Sequence, residues 1–406
     1  MVEEDRRAQD PGNRSLSKTN WSAVWAMFVG GLACGAFFGK VPPALPVMRD
    51  ELGLTLVESG FIATMVNALG AVAGMLMGLL CDRFGHKRLG LLGLVVMAFG
   101  GLLGAAANGY PMLLLSRFLE GAGFITFSVT GAALINASVS SAADRNRAMG
   151  IWTAYMPSGG ALAMLAAPMA MAQFGWRGYW VILAVAALAS AVLVWRVVPA
   201  ARSGGVGGPR LALESLAQPG SLALTVLFCF YVAQWTSVMV WLPTFVIDER
   251  GGTAATAGFL GALMVLANVP GNLAGGWLLS RGAKRGPLII AASAGAAACS
   301  FGMLGEWLPD GTRFALVLAF SCVAGIIPAS IFSGVAVHAR TAGHIGTTNG
   351  MVMQGAQIGQ LAGPILLAWL ASHFGGWGAT LWGMLAFAFC CALCGLVVGR
   401  IEGSRT

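Results

Sequence analysis

The chain has 406 residues, 57% of them hydrophobic and only 10% charged, with a net charge of +8. A soluble domain carries about 25% charged residues, so a soluble globular fold is excluded. Nucleic-acid binding is excluded too, because the cations sit in short turns between apolar spans and form no basic stripe with interleaved aromatics.

Residues 1–20 are polar and mixed in charge, and read as a disordered cytoplasmic tail. Arg6-Arg7 has the look of a twin-arginine signal, but the apolar run behind it is too long for a signal-peptide core. Apolar spans then fall at 21–47, 55–80, 89–107, 110–138, 147–172, 178–198, 220–247, 254–280, 287–306, 313–338, 346–372 and 378–399. About 20 apolar residues cross a bilayer as a helix. The expectation is an all-α membrane protein of twelve transmembrane helices. Residues 199–219, rich in Gly and Pro, read as a cytoplasmic linker between six-helix bundles at 21–198 and 220–400. A short tail, 401–406, follows.

Lys and Arg set the orientation. With the amino terminus inside, 18 of the 24 cations fall in cytoplasmic segments and four in outer loops. Both termini are therefore expected in the cytoplasm, with the chain multi-pass in the inner membrane. Seven of the eight cysteines lie inside apolar spans, and Cys81 lies at the end of one. Cys391 and Cys394 have CxxC spacing without His or acid neighbours, so they read as small apolar residues. No metal site or cofactor is expected. The sequence lacks a P-loop, a Ser-His-Asp cluster and an intramembrane HExxH, which argues against ATP-driven transport and against an enzyme.

The two halves repeat. "GLLCDRFGHKR" (Gly78–Arg88) has a partner in "GWLLSRGAKR" (Gly276–Arg285), with Asp82 over Ser280 and Arg83 over Arg281, an offset of 198. "MRDELG" and "VIDERG" place Asp50 over Asp248 at the same offset, and "FGW" at 174–176 resembles "GGW" at 375–377. Parallel repeats of this kind are a transporter signature.

These features resemble the major facilitator superfamily over residues 21–400. The turn after the second span carries the family motif as Gly78, Asp82, Arg83, Gly85, Lys87 and Arg88, and Arg117 and Gly121 match the motif of the fourth span. "WLPTFVIDERG" (Trp241–Gly251) is more narrowly similar to cyanate-permease-like members. The resemblance implies a latch between halves on the cytoplasmic side. There Asp82 would face the start of the eleventh span near Gly346–Asn349 and Arg83 would pair with Asp144, with Arg281 as the second-half counterpart. A plainer reading makes Lys87 and Arg88 anchors at the anionic membrane surface.

Glycines at four-residue spacing (Gly31, Gly35, Gly39; Gly70, Gly74, Gly78; Gly355, Gly359, Gly363) put small faces on three spans, where helices can pack closely. Prolines such as Pro42, Pro43, Pro46 and Pro364 remove backbone donors within spans.

Three charges lie inside spans: Lys40, Arg117 and Glu120. An intramembrane charge costs roughly 2.5–3.5 kcal/mol on insertion scales and is functional by default. Counting about 1.5 Å per residue places Lys40 and Arg117 at one level, about 10 Å outward of mid-bilayer. Two readings stand. In one, Arg117 and Glu120 form a structural ion pair and Lys40 snorkels outward. In the other, Lys40 and Arg117 draw a small anion and Glu120 carries a proton. Asn67, Tyr155, Gln234, Trp235, Asn268 and Gln357 are candidate substrate contacts in the same cavity, with single amides also read as interhelical glue.

The expected function is secondary transport of a small carboxylate- or cyanate-like anion by alternating access, coupled to protons or by exchange, by a monomer in the lipid bilayer. Drug/proton efflux is the alternative within transport. A membrane sensor that binds without moving its ligand is the alternative of another class.

Overall fold

A computed structural model describes residues 18–73, 84–140, 144, 148, 151–152, 154–199, 218–305, 307–339 and 345–404. Gly74, Gly78, Cys81, Asp82 and Arg83 lie outside them. The described residues contain no strand. Among the described residues, ten helical runs, some joining two of the helices numbered below, are long and apolar enough to cross a membrane.

Helix α1 (Trp21–Gly39) starts where the Asn20 side chain accepts a hydrogen bond from the Ala23 amide. It gives way at Lys40 to α2 (Val41–Leu52). The break follows from Pro42 and Pro43, whose missing N–H groups leave the carbonyls four residues back without donors. Gly53, with φ of 62°, supplies the left-handed residue that stops α2. Helix α3 (Leu56–Thr64) opens on a capping box: Thr55 accepts from the Glu58 amide, and the Glu58 carboxylate accepts from the Thr55 amide at 2.8 Å. The run then tightens into a 3₁₀ turn, Met65–Asn67, and continues helically to Ala73.

Helices α4 (His86–Ala105), α5 (Tyr110–Ser138) and α6 (Tyr155–Val197) complete the amino-terminal set. The 43 residues of α6 are not one rod, since Gly175 sits at φ 65°, ψ 174° and divides them. The carboxy-terminal set is α7 (Pro219–Asp248), α8 (Ala254–Leu266), α9 (Asn268–Ser280), α10 (Arg285–Leu304), α11 (Asp310–Ala324), α12 (Ile326–His338), α13 (Ile345–His373) and α14 (Thr380–Gly403).

Glycines decide which helices approach most closely. A Cβ on Gly35 would press on the backbone of Met156 and Gly159, and one on Gly39 would overlap Gly160, so α1 lies backbone to backbone on α6. In the second set, Gly355, Gly359 and Gly363 of α13 do the same against the carbonyls of Thr225, Cys229 and Ala233 on α7. Bare glycine faces permit this approach because no side chain holds the backbones apart.

The two sets meet toward the face opposite Thr19. Arg49 Nη1 on α2 lies 2.7 Å from Asp248 Oδ2 at the end of α7. Gly60 of α3 sits against Ile365 and Ala368 of α13, and Gly258 of α8 against the Met164 carbonyl of α6. Farther in, Gln354 Nε2 on α13 donates to the Ala71 carbonyl at 2.8 Å.

Candidate functional site

The three intramembrane charges converge. Lys40 ends 2.7 Å from Glu120 Oε1, and Arg117 Nη1 takes the other carboxylate oxygen. The local sequence explains the assembly. Lys40 occupies the α1–α2 break, and Arg117 and Glu120 stand one turn apart on one face of α5. Arg117 reaches farther, donating from Nε to the Ile62 carbonyl at 3.0 Å and from Nη1 to the Phe37 carbonyl at 3.1 Å. The Lys40 ammonium lies 4.0 Å from the Phe37 ring centre and 4.3 Å from that of Trp180. Such ring faces attract a cation, the more so when it is desolvated. Lys40 therefore does not snorkel outward; its amine turns onto the acid.

All three side chains are 0% exposed. Two cations and one carboxylate leave a formal charge of +1 in this closed space. Removing charges from water costs several kcal/mol per ion, offset only by good pairing. The pairing here is incomplete: Arg117 Nη2 and Trp180 Nε1 are buried without a hydrogen-bond partner. A cationic cluster with idle donors keeps hydrogen-bonding capacity for one more anionic or polar acceptor.

The other candidates divide. Asn67 is buried, with its Nδ2 on the Thr64 carbonyl at 3.1 Å and its Oδ1 without a partner. Gln357 is buried against Gly70, and its Nε2 also lacks a partner. Both stand where α13 crosses the helix containing the 3₁₀ turn. Tyr155 shares a hydrogen bond with Ser128 at 3.0 Å and packs on Trp152. Three candidates of the carboxy-terminal set are tied within that set. Gln234 donates to the Met384 carbonyl at 2.9 Å, and Trp235 to Ser321 Oγ at 2.9 Å. Asn268 donates to the Ser321 carbonyl at 2.9 Å and accepts from Asn272 at 2.7 Å.

Of the latch candidates, Gly78, Asp82 and Arg83 lie outside the described residues. Gly85 adopts φ 91° just before α4, and Arg88 is exposed. Lys87 donates to the Trp195 carbonyl at 2.8 Å. Asp144 accepts from Thr19 at 2.6 Å, and Arg281 stacks over Trp277. Each of these three holds a partner in its own set of helices.

Sequence reasoning missed the cage around the charges. Phe37 and Trp180 looked like ordinary apolar positions, and carbonyls carry no sequence signal. Asp248 served there only as a marker of the repeat, and Arg49 is one of the four cations counted in outer loops, whereas the two meet across the sets.

Comparison with known proteins decides the family. Residues 26–354 match the family described as the Major Facilitator Superfamily. The chain belongs to this superfamily. It is 29% identical over 252 residues to a probable 4-methylmuconolactone transporter of Cupriavidus pinatubonensis, covering 59% of this chain and 57% of that protein. It is 24% identical over 277 residues to the hexuronate transporter of Bacillus subtilis, covering 65% of each. A methylenomycin A resistance protein of Bacillus subtilis is 31% identical over 193 residues, 46% of this chain and 40% of that protein. Each match thus spans less than two thirds of the relative's length. Among solved structures, a bacterial homologue of the human lysosomal transporter Spinster, inward-facing and occupied, superposes with a TM-score of 0.74 at 16% identity. That superposition covers 94% of this superfamily member and 96% of the homologue, and it shows a shared fold.

Proposed function

We propose that the chain is a secondary active transporter that moves a small organic anion by alternating access, by proton coupling or exchange. In this reading twelve helices form two six-helix halves joined by residues 199–219, both termini face the cytoplasm, and the protein works as a monomer in the inner membrane. The twelve follow from the ten long helices when α6 is divided at Gly175 and the 29-residue α13 is added.

The observation that carries the reading is the buried Lys40–Glu120–Arg117 cluster, which holds one more positive than negative charge and leaves Arg117 Nη2 idle. A substrate carboxylate would complete the pairing that Glu120 alone leaves unfinished, and its competition for Arg117 would free Glu120 to take a proton. The cluster is fully buried, so substrate reaches it only after helices part. Relatives named for 4-methylmuconolactone, hexuronate and sulfoacetate transport lend the anion reading support. Asn67 and Gln357, each with an unpartnered amide atom, are the further polar contacts.

The test is uptake of radiolabelled small carboxylates into proteoliposomes by the wild type, Lys40→Ala and Arg117→Ala, with thermal stability as the control for folding. Loss of uptake in folded variants supports the site, whereas undiminished uptake in both removes it. Saturable binding without flux would instead identify a sensor. A drug-efflux reading is favoured by relatives named for methylenomycin A and puromycin resistance. It predicts drug resistance in expressing cells and no carboxylate flux.

A further inference from the structure

A cavity lies away from the charge cluster, inside the carboxy-terminal set. Its volume is about 270 Å³. Helices α7, α8, α10, α11, α13 and α14 contribute to it, with Trp241, Met303, Phe314 and Trp377 among its walls. Small-molecule sites have this makeup: an apolar, aromatic interior with a few placed polar groups.

The polar groups gather on one side. Arg250 and Arg313 both line the cavity and both lie over the Phe245 ring, at 5.3 and 5.7 Å from its centre. Arg313 is 5% exposed. Its Nε donates to the Met303 carbonyl at 2.9 Å, but its Nη1 is buried and makes no hydrogen bond. The acid beside them is Asp310, whose Oδ1 stands 3.6 Å from Arg250 Nε and 3.8 Å from Arg313 Nη1. Both separations exceed hydrogen-bond length. The Asp310 carboxylate is 67% exposed, so water shares it. A buried guanidinium N–H without an acceptor costs free energy that a bound acceptor recovers. An apolar chamber with two cations and one solvated acid at its mouth complements a molecule with an apolar body and one anionic head.

We infer that this cavity is a second ligand site, for a small amphipathic anion whose head meets Arg313 and Arg250 and whose body fills the aromatic chamber. The site is separate from the proposed transport cluster, which lies in the other set of helices. It is joined to the contact between sets through α7, because Phe245 and Val246 line the cavity and Asp248 holds Arg49 two residues on. An occupant that fixes this end of α7 favours the joined arrangement.

The anionic head has two sources, a free carboxylate or a lipid phosphate. The experiment uses the full-length protein in phosphatidylcholine nanodiscs with a diazirine derivative of octanoate, and the matching diazirine alcohol as the neutral probe. Mass spectrometry after illumination should place the acid label on cavity residues such as Phe314 or Trp377, and unlabelled octanoate should suppress it. The alcohol should label there roughly tenfold less, equivalent to about 1.4 kcal/mol. Arg250→Gln, at the solvent-facing mouth, should bring acid and alcohol labelling together even if Arg313→Gln fails to fold. Displacement by phosphatidylglycerol in the nanodisc assigns the head to a lipid phosphate, and insensitivity to it assigns the head to a free acid. Equal labelling by acid and alcohol in the wild type overturns the inference, as does acid labelling confined to other regions. Lys40→Ala should leave the labelling unchanged, so failure of the transport reading would not disturb this result.

Discussion

Lys40 Nζ stands 2.7 Å from Glu120 Oε1 in a space that admits no solvent, and Arg117 binds the other oxygen of the same carboxylate. One acid therefore serves two cations, and the members are not equivalent. Removing Lys40 leaves a neutral Arg–Glu pair, but removing Glu120 leaves two buried cations facing each other. Breaking a buried pair costs about 3–5 kcal/mol. Glu120→Ala should lie at the top of that range or fail to fold, with Lys40→Ala clearly milder. Thermal unfolding of the purified variants would check the order, and Lys40→Ala proving the worse of the two would refute this account.

Arg49 and Asp248 bridge the two sets with side chains about a quarter exposed. Partly solvated ion pairs are worth at most about 1 kcal/mol. Arg49→Ala should hardly change the unfolding temperature. It should still shift the balance between joined and parted arrangements by up to about fivefold. Spin labels on α2 and α7 would report that shift by distance measurement. The exchange Arg49→Asp with Asp248→Arg should restore the wild-type distribution.

Gly39 has no room for a side chain, because its Cβ would overlap Gly160 of α6. Gly39→Val should cost at least about 1–3 kcal/mol by overpacking, with loss of folded protein on expression. Gly276 is the contrast, since a Cβ there meets nothing within 4 Å. Gly276→Ala should be neutral or stabilise by about 0.5–1 kcal/mol, the ordinary gain within a helix. Fluorescence-detected size exclusion after heating would rank both.

Gln357 carries a buried amide nitrogen with no partner. An unsatisfied buried donor costs about 1–3 kcal/mol, so Gln357→Leu should hold or raise thermal stability. If the amide serves the transported anion, the same variant should lose uptake. Stability maintained with uptake unchanged would take Gln357 out of the site.

The class of the protein was legible because its signal is repeated along the whole chain: long apolar runs separated by cationic turns. The charges at Lys40, Arg117 and Glu120 stood out for the same reason, being alone in apolar surroundings. Depth along each helix was also readable, since rise per residue is fixed, and Lys40 and Arg117 do reach the same carboxylate. Rotation about each helix was not. These helices are apolar on every side, so no polar stripe marks the face turned inward. Gln234, Trp235 and Asn268 could therefore look like one lining, when each in fact satisfies a group within the carboxy-terminal set. The break at Lys40 could be read from Pro42 and Pro43. The 3₁₀ turn at Met65–Asn67 could not, since it contains neither Pro nor Gly.

The glycine contacts of α1 with α6 and of α7 with α13 have a consequence for motion. Backbones touch over two successive turns in the first pair and three in the second, a close packing that would be lost if the members parted, so each pair behaves as a single stiff strut. Spectroscopic probes placed on both members of a strut would keep a constant separation through a working cycle. They would provide an internal ruler against which opening between Arg49 and Asp248 can be read.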